Sequence, residues 1–253
     1  MTEIPKSLEQ AEVKKSTAEQ PTISEIGKKV IEGAKKISDE KILLLSQEIS
    51  KAGTEFINRA LKSLERRLRP EEFNAFNKAI AGYPLVDLAC GEPVLLLPML
   101  FKEKFTDKKE FLFDVKDTKI AEPLNYIGVD KYHEPHIFPK DPELKNRIKF
   151  EKKDIIQFLR TLPDDSVNIF IGGFDTDISR PKGGKEDRYR AILEAEIARV
   201  LAKGGSCLES ESDLIGKWNG EHIRLKDFGL EKVPLAENTR FIEPRAKLYT
   251  KPE

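Results

Sequence analysis

Beyond Tyr83 the chain breaks into seven short apolar runs, each closed by turn or charged residues: "PLVDLA", "NYIGVD", "IKFEKKD", "VNIFIGG", "GGSCLES", "LEKVPL" and "AKLYTK". Helical stretches separate several of them, notably "DRYRAILEAEIARVLAKGG". A strand that returns parallel to its neighbour needs a long crossover, and a helix is the usual one. The pattern therefore predicts an α/β domain built on a mostly parallel seven-stranded sheet with helices on both faces. The last two runs have no clear helix between them and are expected to close the sheet as an antiparallel pair.

Residues 1–22 are polar and carry Pro5 and Pro21, and they read as a disordered tail. A helical extension is expected over 23–82. Within it Leu45, Ile49, Ala52, Phe56, Ala60, Leu64 and Leu68 recur at helical spacing. Pro70 ends that pattern and starts a short helix with acids in its first turn. Arg59, Lys62, Arg66, Arg67 and Arg69 make one face basic, read first as solvated and second as a patch for acidic groups. The domain proper runs over 83–253, with a charged insertion at 102–123 between the first two strands.

Lysine plus arginine and aspartate plus glutamate number 44 each. Such a balance gives no global field toward nucleic acid or membrane, so neither partner is favoured. No apolar run has the length of a membrane span, and the first residues show no apolar secretory core. Cys90 and Cys207 form no C-x-x-C pair, which fits a reducing, cytoplasmic setting.

In an open α/β sheet, ligands sit outside the carboxyl ends of the strands. The residues that follow each run are therefore the informative ones. They are Asp87, Ala89, Cys90 and Gly91, then Asp130, then Asp154 with Ile155, then Gly172 and Gly173. A lone acid at such a place is commonly a helix cap; three at consecutive strand ends suit a polyhydroxylated, amine-bearing ligand. An ionised carboxylate only accepts hydrogen bonds, through two oxygens. Asp130 suits the paired hydroxyls of a ribose, and Asp154 an exocyclic amino group, with Ile155 against a flat base. The small-residue turn at Ala89–Gly91 lets backbone approach a ligand closely.

These segments resemble the motifs of the class I S-adenosylmethionine-dependent methyltransferases. "VDLACG" is similar to their first motif, "YIGVD" to the second with its ribose-binding acid, and "FEKKDIIQF" to the third. "RYRAILEAEIARVLAKGGSCLES" resembles their helix and fifth strand, and "FGLEKVPL" with "AKLYTKP" their terminal hairpin. The resemblance covers about 83–253. It implies a Rossmann-like fold and S-adenosyl-L-methionine as cofactor, bound by the residues named above. Three departures stand out. Pro93 replaces the last glycine of the first motif, beside Glu92. Asp87 and Asp130 lie 43 positions apart, where about 20 is usual, and the insertion accounts for the excess. "IGGFDTDIS" stands in place of an asparagine-proline-proline-aromatic box. Proline suits a first helical turn, so the loop is read as functional.

The resemblance implies methyl transfer to an unidentified acceptor, with a small molecule favoured. The alternative is a methyltransferase-like binding or scaffold protein without turnover. No catalytic residue is assigned. His133, His136 and Asp175 are candidate bases; the histidines match no strong metal motif with Glu134, and no metal is expected. The N-terminal helices are expected to cover the cofactor mouth, and Trp218, Phe174 and Tyr132 are candidate lining residues. Nicotinamide chemistry fits poorly, because "LACGEPV" holds no G-x-G-x-x-G.

Overall fold

Four-residue strands whose side chains are buried on both sides can be stable only between two layers of helices. That is the arrangement seen in the computed structural model, which describes residues 22–46, 67–90, 96–101, 120–132, 141–171, 184–209, 216–234 and 246–253. Helices α1 (Glu25–Lys35), α2 (Asp39–Ser46) and α3 (Pro70–Gly82) precede the sheet. There follow β1 (Leu85–Leu88), α4 (Leu96–Phe101), β2 (Tyr126–Val129), α5 (Pro142–Arg147), β3 (Ile148–Glu151), α6 (Ile155–Arg160) and β4 (Asn168–Ile171). The chain continues through α7 (Gly184–Val200), β5 (Ser206–Glu209), β6 (Gly216–Trp218), β7 (Glu221–Ile223), β8 (Glu231–Lys232) and β9 (Lys247–Thr250).

The main sheet has seven strands in the order β3-β2-β1-β4-β5-β9-β8. The first five are parallel, while β9 runs antiparallel to both β5 and β8. The seven apolar runs thus supply the seven strands, and the final pair is antiparallel as expected. The hairpin β6–β7 stands apart as a second small sheet. Its turn places Asn219 and Gly220 at φ 52° and 88°, the left-handed pair that a two-residue hairpin of this twist requires.

Side chains alternate between two cores. Val86, Leu88, Val129, Ile169, Ile171 and Cys207 face α1, α2, α6, α7 and the hairpin. Leu85, Tyr126, Ile148, Phe170 and Leu208 face α3, α4 and α5. Asn168, at the base of β4, is one of the buried polar residues of the sheet. Its Nδ2 donates to the Ala79 carbonyl at 2.8 Å and its Oδ1 accepts from the Ser206 N–H at 2.9 Å, so both ends of the buried amide are used.

Of the extension's described helices, α1 and α2 pack against α6 and α7, while α3 packs on the opposite face of the sheet. Arg160, at the end of α6, makes the main polar junction. Its guanidinium donates to the carbonyls of Ala34 and Ile37 at 2.8 and 2.9 Å, to Asp39 at 2.8 Å and to Glu196 at 3.4 Å. Three residues, Lys36 to Ser38, part α1 from α2. The predicted stripe from Ile49 to Leu64, the tail before residue 22 and positions 102–119 of the insertion lie outside the described residues. No helix among the described residues is long and apolar enough to cross a membrane.

Candidate functional site

The sheet places one strand in a special position. β1 pairs with β2 on one side and β4 on the other. The connection leaving β1 carries α4 on one face, and the connection entering β4 carries α6 on the opposite face. Chains diverge at such a switch point, and the crevice beyond the strand ends is where ligands of α/β sheets bind. The residues emerging there are Asp87 to Cys90 and Asp130.

Asp87 is the third residue of β1 and is fully buried. Its Oδ2 accepts the hydroxyl of Tyr126 at 2.6 Å, while its Oδ1 has no hydrogen-bond partner among the described residues. Burial raises its pKa from the ordinary 3.8 to about 7, against the lowering effect of the Tyr126 hydroxyl and with a further raise from Asp130. Tyr126 was not among the sequence candidates. It opens β2 and faces the same side of the sheet as Asp87, a relationship set by strand register and not by any motif. Gly128 lies directly opposite Asp87 in that register. A Cβ there would stand 2.7 Å from the Phe150 ring and 2.9 Å from the Cys90 sulfur, so no other residue fits without displacing them.

Ala89 turns the chain out of β1 with φ 57°. This left-handed conformation normally selects glycine, and a side chain there costs roughly 1–2 kcal/mol. The small residue singled out in the sequence is thus at a strained turn. Cys90 is buried, and its N–H donates to the Val129 carbonyl at 3.1 Å, which ties the turn to the end of β2. Asp130 is 6% exposed; its Oδ1 accepts from the Tyr132 N–H at 2.7 Å, and its own N–H donates to the Glu151 carbonyl.

Asp154 serves as the cap of α6. Its Oδ1 accepts from the N–H groups of Ile156 and Gln157, and its Oδ2 accepts the Tyr189 hydroxyl at 3.0 Å. The structural alternative named for such an acid is realised here. Ile155 is buried in the core beneath α6 and α7. Trp218 is 7% exposed, packed in the same core, with the Arg188 guanidinium 4.9 Å over its ring. Tyr132 is exposed beside Asp130. Gly91, Glu92, Pro93, His133, Glu134, His136, Gly172, Gly173, Phe174 and Asp175 lie outside the described residues.

A separate cavity of about 290 Å³ lies between α3 and the strands β5, β9 and β8, lined by Phe76, Ser206, Lys232 and Leu248 among others. It opens beside Ser206, at the amino end of β5, and not at the strand ends that carry Asp87 and Asp130.

No family profile matches the chain. No curated protein matches its sequence. Solved structures do match. One is a Haloferax volcanii chain from a complex of the Trm112 methyltransferase activator with a methyltransferase: 16% identity over 79% of this chain and 96% of that one, TM-score 0.36. Another is an S-adenosyl-L-methionine methyl transfer enzyme from Silicibacter pomeroyi DSS-3: 19% identity, 78% and 96% coverage, TM-score 0.41. A third is the N-methyltransferase NodS from Bradyrhizobium japonicum: 12% identity, 79% and 98% coverage, TM-score 0.38. At these scores the likeness adds no weight to the strand order itself. In its fold the chain resembles the class I methyltransferases: a seven-stranded, mostly parallel sheet with helices on both faces and an antiparallel strand inserted next to the edge.

Proposed function

We propose that the chain binds S-adenosyl-L-methionine at the carboxyl ends of β1, β2 and β3 and transfers its methyl group to an acceptor, a small molecule being favoured. The observation that carries this reading is the placement of Asp87 and Asp130 at adjacent strand ends of the switch point, around the tight Ala89 turn. Residues present there fit the cofactor. Asp87 offers a buried oxygen without a partner to a cationic group. Asp130 offers a carboxylate to paired hydroxyls. The turn at Ala89 and Cys90 brings backbone close to a ligand, with Gly91 next in the chain. Asp154 and Ile155 border the adenine side, and Gly172 and Gly173 follow β4.

The cofactor brings an activated methyl on a sulfonium, so the hard chemistry arrives with it. What the chain must supply is position. Holding acceptor, methyl and sulfur in line can contribute several kcal/mol through pre-paid orientation. Asp130 and Asp87 fix two polar ends of the ligand, and the rigid parallel sheet keeps the two carboxyls at one spacing. A base is needed only where the acceptor must lose a proton.

The second reading is a binding or scaffold protein on the same fold, since fold alone does not establish turnover. Pro93 in place of the last glycine of the first motif, and "IGGFDTDIS" in place of the acceptor box, favour it. Incubation with methyl-labelled S-adenosylmethionine and pooled small-molecule acceptors tests the first reading. Label transfer supports it; calorimetric binding with no transfer to any acceptor supports the second; absence of binding removes the first.

A further inference from the structure

A carboxyl group buried away from water is stable in only two forms. It is either neutral or held by a cation and enough donors. Among the described residues Asp87 has neither a cation nor a full set of donors. One oxygen takes the Tyr126 hydroxyl and the other takes nothing. The nearest charge felt by the carboxyl is another acid, Asp130. Among the described residues the other titratable neighbour acting on the pair is the Cys90 thiol, felt by Tyr126. From the other elements the pair meets apolar side chains: Phe170 beside it on β4, Phe150 on β3, and the apolar faces of α3 and α4. Gly128 adds no side chain opposite the carboxyl.

We infer that Tyr126 is a positioning residue that makes ligand binding at this site a proton-exchange step: Asp87 holds a proton in the empty protein and gives it to solvent when a cationic group docks on the free oxygen. The inference rests on the proposed binding of S-adenosylmethionine and concerns how the same site works. The balance is simple. The carboxylic acid O–H bond of Asp87 breaks, the proton passes to buffer, and the carboxylate pairs with the ligand's ammonium or sulfonium charge. The Tyr126 hydroxyl stays a donor throughout. It holds Oδ2 and thereby leaves Oδ1 as the oxygen that changes partner. It also favours the ionised form, because a hydrogen bond donated to a carboxylate stabilises the charge. Burial raises the group to about 7, which sets the exchange in the neutral range.

Calorimetry with S-adenosylmethionine tests this on the full chain. Titrations at pH 7 in phosphate and in Tris separate proton release from binding, because the two buffers differ in ionisation enthalpy. Once the titration of the ligand's own α-ammonium is subtracted, a net proton release is expected near pH 7, smaller at pH 9. Adenosine, which carries neither ammonium nor sulfonium, should bind with none. Tyr126→Phe should shift the release profile to higher pH and weaken binding at pH 7 several-fold, with recovery at pH 9; a loss that is equal at every pH would mark Tyr126 as structural only and overturn its role. Asp87→Asn should bind with no release. Tight binding of S-adenosylmethionine to the wild type with the same enthalpy in both buffers overturns the proton exchange and leaves the proposed function standing. No binding of S-adenosylmethionine at any pH overturns both.

Discussion

The hydroxyl of Tyr189 on α7 meets the carboxylate of Asp154 at 3.0 Å, while the other oxygen of that carboxylate caps α6. One side chain thus starts a helix and fastens its neighbour. Both groups are buried. Removing the acid leaves a buried hydroxyl stranded as well as a helix uncapped. Asp154→Ala should cost about 2–4 kcal/mol, combining cap loss with an unsatisfied donor. Adding Tyr189→Phe in that background should return about 1 kcal/mol. Urea midpoints of the two single variants and the double variant give the coupling; strict additivity would show that the contact is idle.

Ala89 sits at φ 57°. Glycine there relieves a strain of roughly 1–2 kcal/mol and gives back part of it through a freer unfolded chain. Ala89→Gly should therefore raise stability by about 0.5–1 kcal/mol, read as a higher urea midpoint with an unchanged slope. A fall in the midpoint would show that the left-handed turn is not the conformation in solution.

Three buried acids resist ionisation in the fold. Burial pushes Asp87 from 3.8 to about 7 and Glu209 from 4.5 to about 8, the latter against the pull of Lys247 and Lys232. Glu194, also buried, is raised and lies within the field of Glu209. In each case the folded state holds protons that the unfolded chain has lost. The stability this contributes is full below about pH 4 and is lost as pH rises through 7 and 8. The urea midpoint should fall between pH 5.5 and 8.5, and Glu209→Gln should flatten the upper part of that fall. A midpoint that rises across this range would contradict the burial of these groups.

Asp130 should be the strongest single contact to the proposed cofactor. Charge-assisted hydrogen bonds contribute about 1.5–3 kcal/mol each, a large share of a micromolar affinity near −8 kcal/mol. Asp130→Ala should weaken binding of S-adenosylmethionine at least tenfold, and Asp130→Asn less, since the amide keeps an acceptor for the Tyr132 N–H. Equal affinities of wild type and Asp130→Ala by calorimetry would remove Asp130 from the site.

Arg160 joins α1 and α2 to the domain through two helix-end carbonyls and two carboxylates. Asp39 is largely exposed and adds little. The two carbonyls and Glu196 are the contacts that matter. Arg160→Ala should cost about 2–4 kcal/mol, and Arg160→Lys nearly as much, because a point charge cannot serve a forked set of acceptors. Hydrogen exchange should quicken first in 25–46. Unchanged protection there would mean that apolar packing alone holds these helices.

The sheet was legible because strands buried on both faces must read as mostly apolar runs, and "PLVDLA", "NYIGVD" and "VNIFIGG" do so, broken inside the strands only by Asp87 and Asn168. The hairpin at Gly216–Ile223 was not singled out, although its Asn219-Gly220 turn is a local signal in plain view. The acids at the strand ends could be found by their position after each run. Tyr126 could not. Its contact with Asp87 spans 39 positions and exists only once β1 and β2 lie in register, which no spacing encodes. The two readings of Asp154, ligand contact and helix cap, use the same residue type at the same place, so only the partners of its oxygens separate them.

The position of β9 between β5 and β8 also fixes an order of assembly. β8 pairs with β9 and with no other described strand. Until residues 247–250 emerge from the ribosome, β5 keeps an open edge whose four residues are all destined for burial, a ready template for pairing with another chain. The nascent protein therefore carries a risk of misassociation at this edge until β9 has been made. A stall or truncation shortly before residue 247 would leave the β5 edge uncovered.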